Sequence, residues 1–169
     1  MSMSNETLQE LLYGKGAHVD PIVCLEDVPA TLAGRKLQDY PHSIWQIVGH
    51  MSYWMDYELK RIAGEPPAYP EHAIESWPAS DAPAGEPDWQ DALARFKGLL
   101  DKLSQLANSG AEVLERSVAG THPLYNLRSY TVQAILWQMA AHNSYHLGQI
   151  ALLRRAFGAW PPRRGSDTW

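Results

Sequence analysis

The chain has 169 residues, of which 45% are hydrophobic and 20% are charged, with a formal net charge of -5 at pH 7. At this length one hydrophobic core is sufficient, so we expect a single globular domain over residues 1–169. The composition excludes a chain that is disordered throughout. The acidic balance argues against nucleic acid as a partner, because phosphate backbones are bound by clusters of Lys and Arg that this sequence lacks.

The sequence also indicates the cellular compartment of the protein. Cys24 is the single cysteine, which excludes an intrachain disulfide and a cysteine-rich zinc site. Residues 1–10 are polar and lack the apolar region of a signal peptide. No apolar run approaches the roughly 20 residues that span a bilayer. We therefore expect a cytoplasmic protein without a membrane partner.

The first half of the chain predicts three helices. A short one over residues 6–13 ends at Gly14 and Gly16, and a second over 20–28 has Pro21 in its first turn. The third begins after Ser43, where Ser43 and Gln46 form a capping-box pattern. Apolar residues then recur at steps of three and four up to about Gly64, which is typical of an amphipathic helix.

Residues 65–87 contain six of the twelve prolines and predict a long loop, because proline interrupts regular structure. A loop of this length inside a domain is usually functional or mobile, and Trp77 is expected to anchor it. Asp88 is the predicted N-cap of a helix that extends to about Ala107. A short helix over 111–115 follows, and then a loop with Gly120 and Pro123.

The last predicted helix runs from about Tyr130 to Phe157 and ends at Gly158. Its apolar stripe has residues three or four positions apart throughout: Val132, Ile135, Met139, His142, His146, Ile150, Leu153 and Phe157. No segment favours a strand. Long helices joined by loops predict an all-α helical bundle.

Two histidines interrupt the stripe of the last helix. His142 and His146 are four residues apart, which places both side chains on one helix face about 6 Å apart along the axis. Such a pair can direct two ring nitrogens at one zinc-class ion. His50 lies beside the apolar stripe of the earlier helix and is the candidate third ligand. Three nitrogens with a position left open are typical of catalytic metal sites.

An alternative interpretation needs no metal. Buried neutral histidines are commonly satisfied by hydroxyls or backbone carbonyls, and Ser144, Tyr53 and Tyr57 are available for this. Three unpaired core imidazoles would each cost about 1–3 kcal/mol, which a metal would relieve together. Spacing alone leaves the two interpretations balanced. For a metal site, neutral ligands imply release of the ion as the pH falls through about 6.

Other residues with functional side chains have simpler interpretations. His42 is predicted to be solvated, and His72 and His122 to lie at the surface. His18 suits either a pocket or a loop. Cys24 is predicted to be a small buried residue, Arg154 and Arg155 to form a solvated helix end, and Trp45, Trp54 and Trp137 to belong to the core. For a general base, His18, Asp56 and Tyr53 are candidates.

Several motifs resemble the DinB-like superfamily. They are Ser43-Ile44-Trp45 with Gly49-His50-Met51, the segment Ala141-His142-Asn143-Ser144-Tyr145-His146-Leu147-Gly148-Gln149-Ile150, Trp77-Pro78, and the closing Leu152-Leu153-Arg154-Arg155 with Gly158-Ala159-Trp160-Pro161. The resemblance runs over most of the chain in the expected order.

The resemblance implies a four-helix bundle of the up-down-down-up type with a divalent metal, Zn²⁺ or Ni²⁺, on His50, His142 and His146. It implies a metal-dependent enzyme acting on an unidentified small molecule, with a hydrolase as the first expectation. A transferase or isomerase that uses a low-molecular-weight thiol is the alternative, and a noncatalytic metal-binding, stress-associated protein is an alternative of another class. Homodimers occur in the family.

Overall fold

The structure is a computed structural model that describes residues 3–121 and 129–165. Its helices are α1 (Met3–Leu12), α2 (Pro21–Leu25), α3 (Ala30–Ala33), α4 (Ile44–Ala63), α5 (Glu86–Ala107), α6 (Ala111–Leu114) and α7 (Val132–Ala156), with a 3₁₀ turn at Ala73–Ser76. Two strands, β1 (Ser117–Val118) and β2 (Tyr130–Thr131), pair antiparallel. The all-α prediction is confirmed, although this small strand pair was not predicted.

Helix α4 begins and ends where the sequence predicts. The Ser43 hydroxyl accepts a hydrogen bond from the Gln46 backbone N–H at 3.2 Å, and the Gln46 side chain accepts one from the Ser43 N–H at 3.1 Å. This reciprocal pair satisfies two amide groups that the first helical turn leaves unpaired. Gly64 ends the helix with a φ of 88°, a conformation that glycine adopts without steric cost.

The N-cap of helix α5 is Gly85, three residues before the predicted Asp88, so the assignment of Asp88 as its N-cap is wrong. Glu86 is the first helical residue and Pro87 lies in the first turn, where its missing N–H costs nothing. The Asp88 carboxylate instead accepts a hydrogen bond from the Ala84 N–H at 2.9 Å. The helix ends at Ala107, as predicted.

The helix predicted over 20–28 is shorter than expected, and a second short helix, α3, follows it outside the predicted range. The Asp20 side chain caps α2 by accepting hydrogen bonds from the backbone of Ile22 and Val23. Helix α2 ends at Leu25, and α3 begins after Pro29, whose extended backbone separates the two. Helix α7 likewise starts later than predicted, because Tyr130 and Thr131 pair with β1 before the Thr131 hydroxyl caps the helix.

Side-chain contacts show that α4 and α5 run parallel. Near the start of both helices, the rings of Trp45 and Trp89 lie 6.3 Å apart. Further along both, Asp56 and Arg95 form an ion pair at 3.6 Å. Their connection must therefore return along the length of the bundle, about 30 Å for the 20 residues of α4. Residues 64–85 make this return, which explains why the proline-rich loop is long.

The other two long helices run the opposite way. Strand β2, which leads directly into α7, lies at the C-terminal end of α4, where the Arg61 guanidinium is 5.6 Å from the Tyr130 ring centroid. Met55 lies further back along α4 and meets Asn143 further along α7, so these two helices are antiparallel.

Helix α1 is antiparallel to α5. Gln9 donates a hydrogen bond to Ser104 at 3.1 Å, whereas the later Tyr13 donates one to the earlier Asp101 at 2.6 Å. Helices α1, α4, α5 and α7 thus have the up-down-down-up order that the family resemblance implies, with a continuous apolar core between them.

Two predictions about the helical surfaces are wrong. Arg154 is only 2% exposed, because its guanidinium forms an ion pair with Asp27 at 2.9 Å and donates to the Cys24 and Ala159 carbonyls. Arg155 is exposed as predicted. Trp137, predicted to be in the core, is 38% exposed, whereas Trp45 and Trp54 pack against the core while partly buried.

Other predictions agree with the structure or cannot be compared. Cys24 is fully buried, and burial raises the pKa of its thiol to about 11, which disfavours a nucleophilic thiolate. His72 is exposed as predicted. His122 and Pro123 lie outside the described residues. In the part of the chain that is described, we find no helix with the length and apolar character needed to cross a membrane.

Candidate metal centre

The antiparallel packing of α4 against α7 brings His50, His142 and His146 together. The Nε2 atoms of His50 and His142 are 3.3 Å apart, and one ring nitrogen from each of the three histidines lies within 4.8 Å of the others. His50 is 92 positions before His142 in sequence, so its approach to the other two is a property of the fold. No other cluster of three candidate ligands occurs among the described residues.

The spacing of the nitrogens fits a shared ion. Ligands at 2.0–2.1 Å from a tetrahedral ion are separated by about 3.3–3.4 Å. The His50–His142 distance already has this value. The wider limit of 4.8 Å for the cluster requires a shift of up to about 1.5 Å by the third ring, which rotation about side-chain bonds can supply.

The orientation of His50 is fixed by the proline-rich loop. Its Nδ1 lies 3.0 Å from the Ser76 hydroxyl oxygen, and that hydroxyl donates its own hydrogen to the Ala73 carbonyl at 2.7 Å. The Ser76 oxygen is therefore the acceptor, and His50 carries its proton on Nδ1. This leaves the lone pair on Nε2, the atom that faces the cluster.

His146 has the same arrangement with a partner on its own helix. Its Nδ1 lies 2.8 Å from the Gln149 side-chain oxygen, which can only accept a hydrogen bond. His146 therefore also presents an unprotonated Nε2. Residues three apart on a helix face each other, so the sequence contained a signal for Gln149. Ser76 lies on a loop distant from α4 in sequence, so the sequence contained no signal for its contact with His50.

Trp77 covers one side of the cluster, as its predicted anchoring role suggests. Its ring stacks on His50 with centroids 3.8 Å apart and on His42 at 3.7 Å. His42 is therefore partly buried in a stack, and the prediction of a solvated residue is wrong. The adjacent Pro78 packs against Gly49, where an added Cβ would lie 2.3 Å from the Pro78 Cγ. Glycine at position 49 lets the loop approach this closely.

The histidines of the cluster are neutral at pH 7. Burial lowers the pKa of His50 to about 3, with further contributions from His146 and His142. Burial and the nearby His146 lower the pKa of His142 to about 4. Burial also lowers the pKa of His146. The neutral form is the one that binds metal, so protons compete weakly for these ligands.

Two of the three hydroxyls that were candidates for satisfying these histidines without a metal have other partners. Ser144 lies 2.8 Å from His18, and Tyr57 donates to Thr121 at 2.6 Å. His50 and His146 are buried, whereas His142 is partly exposed. Three neutral imidazoles form a donor set that suits a divalent ion of the zinc class.

The three candidate general bases have different surroundings. Asp56 is paired with Lys60 at 2.8 Å and with Arg95 at 3.6 Å. Tyr53 lines a cavity of about 410 Å³ together with Ser76 and Trp77, and burial raises the pKa of its phenol. His18 is hydrogen-bonded to Ser144. None of the three is in the histidine cluster of the described structure.

The fold and the cluster together define a four-helix bundle with three converging histidines on two antiparallel helices. The family model of the DinB superfamily matches residues 23–150, which include α4, α5 and most of α7. The chain belongs to the DinB superfamily, as its motifs implied. Among curated proteins, none matches it.

Proposed function

We propose that the protein is a metal-dependent enzyme that holds one divalent ion, Zn²⁺ or Ni²⁺, on His50, His142 and His146. The observation that carries the proposal is the shared orientation of two rings. His50 and His146 each use Nδ1 to donate a hydrogen bond to a fixed acceptor, which leaves Nε2 for the ion. Partners of this kind are the usual support of metal-ligating histidines.

The proposed reaction is hydrolysis. A divalent ion held by three imidazoles lowers the pKa of a coordinated water to about 7, which supplies hydroxide at neutral pH. The chain provides the surroundings for this chemistry. Ser76 and Gln149 orient the rings, Trp77 shields His50 and His146 on one side, and the partly exposed His142 marks the side open to a small-molecule substrate.

Titration calorimetry of the metal-free protein with Zn²⁺ and with Ni²⁺ tests the metal site. We expect one ion per chain for the wild type and for the control His72→Ala, whose histidine is exposed and outside the cluster. His142→Ala is expected to lose this binding, because two imidazoles remain. Equal binding by His142→Ala and the wild type would remove the proposed site.

A second experiment tests catalysis. The metal-loaded wild type and His142→Ala are assayed with chromogenic esters, amides and phosphoesters, and we expect hydrolysis of at least one class only in the wild type. Turnover found instead with a low-molecular-weight thiol and a chlorodinitrobenzene electrophile would replace the hydrolase by a thiol transferase. Metal binding without turnover in any assay would favour the noncatalytic alternative.

A further inference from the structure

A cavity of about 410 Å³, the α4–α5 cavity, lies between these two helices, and none of the three cluster histidines lines it. Its volume is within the range of about 300–1,000 Å³ that is usual for small-molecule sites. It has three walls, formed by α4, by α5 and by residues 75–78 of the proline-rich loop. The cavity is therefore separate from the metal centre, although Ser76 belongs to its loop wall and also contacts His50.

The charge of this cavity favours a cation. Its lining contains three carboxylates, Glu75, Asp88 and Asp91, and none of them forms an ion pair within the described residues. Arg95 is the one basic residue of the lining, and its guanidinium is paired with Asp56 at 3.6 Å instead. The cavity therefore has negative charge that the fold leaves unpaired.

The carboxylates lie on two different walls, and backbone groups hold two of them in place. Glu75, on the loop wall, accepts a hydrogen bond from the His72 N–H at 3.0 Å through one oxygen. Asp88, on the α5 wall, accepts one from the Ala84 N–H at 2.9 Å through one oxygen. Asp91 follows Asp88 by three residues and so lies on the same side of α5. Glu75 and Asp88 each keep a second oxygen for a ligand.

The α4 wall contains a buried hydroxyl that the fold does not use. Ser52 lines the cavity and is only 4% exposed, and its hydroxyl has no hydrogen-bond partner among the described residues. Buried polar groups are rarely left without a partner. The Ser52 hydroxyl is not among the unpartnered atoms that are sealed from solvent, so it is open to the cavity. It is therefore available to a hydrogen-bonding group of a ligand, unlike the Ser76 hydroxyl, which donates to Ala73 and accepts from His50.

The spacing of the carboxylates favours an organic cation over a metal ion. Oxygen ligands lie about 2.0–2.6 Å from Mg²⁺ or Ca²⁺, so the ligand atoms of one ion are close together. The three carboxylates do not meet in this way, because the histidine cluster is the only set of three metal-ligand side chains within the described residues. Trp45 and Tyr53 add aromatic surface on the α4 wall, which suits methylene groups. A ligand with two separated cationic groups and an apolar middle fits this lining.

We propose that the α4–α5 cavity binds an aliphatic diamine, or the diamine unit of a longer polyamine, in its protonated form. One ammonium group lies at Asp88 and Asp91 and the other at Glu75, so that each wall with carboxylates holds one positive charge. An ammonium N–H donates to the Ser52 hydroxyl, and the methylene chain packs against Trp45. Binding requires no metal and does not rest on the proposed function.

The probe is 1,4-diaminobutane, and the matched ligands are 4-amino-1-butanol, with one ammonium group, and 1,4-butanediol, with none. Binding to the full chain is followed by ¹H–¹⁵N NMR at pH 7 in the presence of EDTA, which removes any metal to which an amine could bind. We expect saturable shifts at the Ser52 and Ala92 amides and at the Trp45 indole. An exposed ion pair contributes up to about fivefold in affinity, so the amino alcohol should bind up to about fivefold more weakly, and the diol more than about tenfold.

Two variants, each with a matched control, test the location, and the same spectra report whether each variant is folded. Glu75→Gln keeps an oxygen for the His72 N–H but loses the charge, so it should bind the diamine and the amino alcohol equally. Glu112→Gln, exposed on α6 and outside the lining, should keep the preference for the diamine. Ala92→Leu fills the cavity and should weaken diamine binding at least about tenfold, whereas Ala94→Leu, exposed on the same helix and outside the lining, should retain it.

Several results would each overturn the proposal. They are the absence of a saturable shift in the wild type, equal affinity for the diol and the diamine, an unchanged preference in Glu75→Gln, and wild-type binding by Ala92→Leu. Displacement of the diamine by Mg²⁺, beyond the effect of NaCl at the same ionic strength, would assign the cavity to an inorganic cation and overturn it as well. Because EDTA is present throughout, failure of the metal centre would leave all of these measurements unchanged.

Discussion

Replacing Gly49 by alanine introduces a methyl group where Pro78 already lies. The new Cβ would be 2.3 Å from the Pro78 Cγ and 2.9 Å from its Cδ. Apolar carbons in contact are separated by about 3.5–4.0 Å, so the loop would have to move by roughly 1 Å. Trp77 precedes Pro78 and stacks on His50, and it would move with the loop.

Two energies oppose each other in this variant. Alanine is favoured over glycine inside a helix by about 1 kcal/mol. Overpacking of a well-packed contact costs typically about 1–3 kcal/mol. The loop cannot retreat freely, because Gln46 donates to the Pro78 carbonyl and the Ser43 hydroxyl donates to the Asp81 carbonyl. We therefore expect overpacking to prevail, with a net loss of about 1 kcal/mol in the free energy of unfolding.

Urea denaturation of the metal-free protein measures this difference. The control is Gly98→Ala, where the added Cβ meets no atom within 4 Å and helix propensity alone should raise stability by up to about 1 kcal/mol. The two substitutions are thus expected to have opposite signs. If Gly49→Ala stabilises the protein as much as Gly98→Ala does, the loop does not pack against α4 as described. The description of Trp77 as covering one side of the histidine cluster would then also be wrong.

Three further predictions concern the metal centre and the buried ion pair. Ser76→Ala removes the main acceptor of the His50 Nδ1 proton and should weaken metal binding about tenfold in a competition titration, with Ser76→Thr restoring it. In the metal-free protein, the cluster histidines gain protons below pH 6.5 when the chain is unfolded. In the folded chain their pKa values are lowered, so they do not. Stability should therefore be full above pH 6.5 and fall by at least about 2 kcal/mol between pH 7 and pH 5, as urea midpoints would report; a flat profile would contradict the buried cluster. Arg154→Met leaves the Asp27 carboxylate without its guanidinium partner and should cost about 3–5 kcal/mol by the same method.

The lowered pKa values also change one expectation from the sequence. The expectation that the metal is released as the pH falls through about 6 is based on histidines with ordinary pKa values. With values of about 3 for His50 and about 4 for His142, protons compete with the ion only at lower pH. We therefore expect occupancy to persist through pH 5.

The parts of the fold that could be predicted are those decided by local sequence. The capping box at Ser43 and the periodic apolar residues fixed the extent of α4, because both signals lie within a few residues of what they determine. The start of α5 was misplaced, since Pro87 suits both a residue before a helix and a first turn. The choice depends on tertiary packing, which a local pattern does not contain.

The candidate site also contains residues that local sequence predicts and residues that depend on tertiary packing. Helical spacing predicted that His142 and His146 share a face, and the polar interruption of an apolar stripe singled them out. The Ser76 contact with His50 was not predictable, because it requires the path of the long loop over α4. The burial of Arg154 was missed for a similar reason, since its partner Asp27 lies in a distant connection between α2 and α3.

X-ray absorption spectroscopy of the protein loaded with one equivalent of Zn²⁺ or Ni²⁺ tests the coordination directly. We expect the spectrum to fit three imidazole nitrogens at about 2.0–2.1 Å in the zinc form, and His142→Ala to lose one of them. A first shell of oxygen atoms alone, or a shell that is the same in the wild type and in His142→Ala, would contradict a metal centre built from these three histidines.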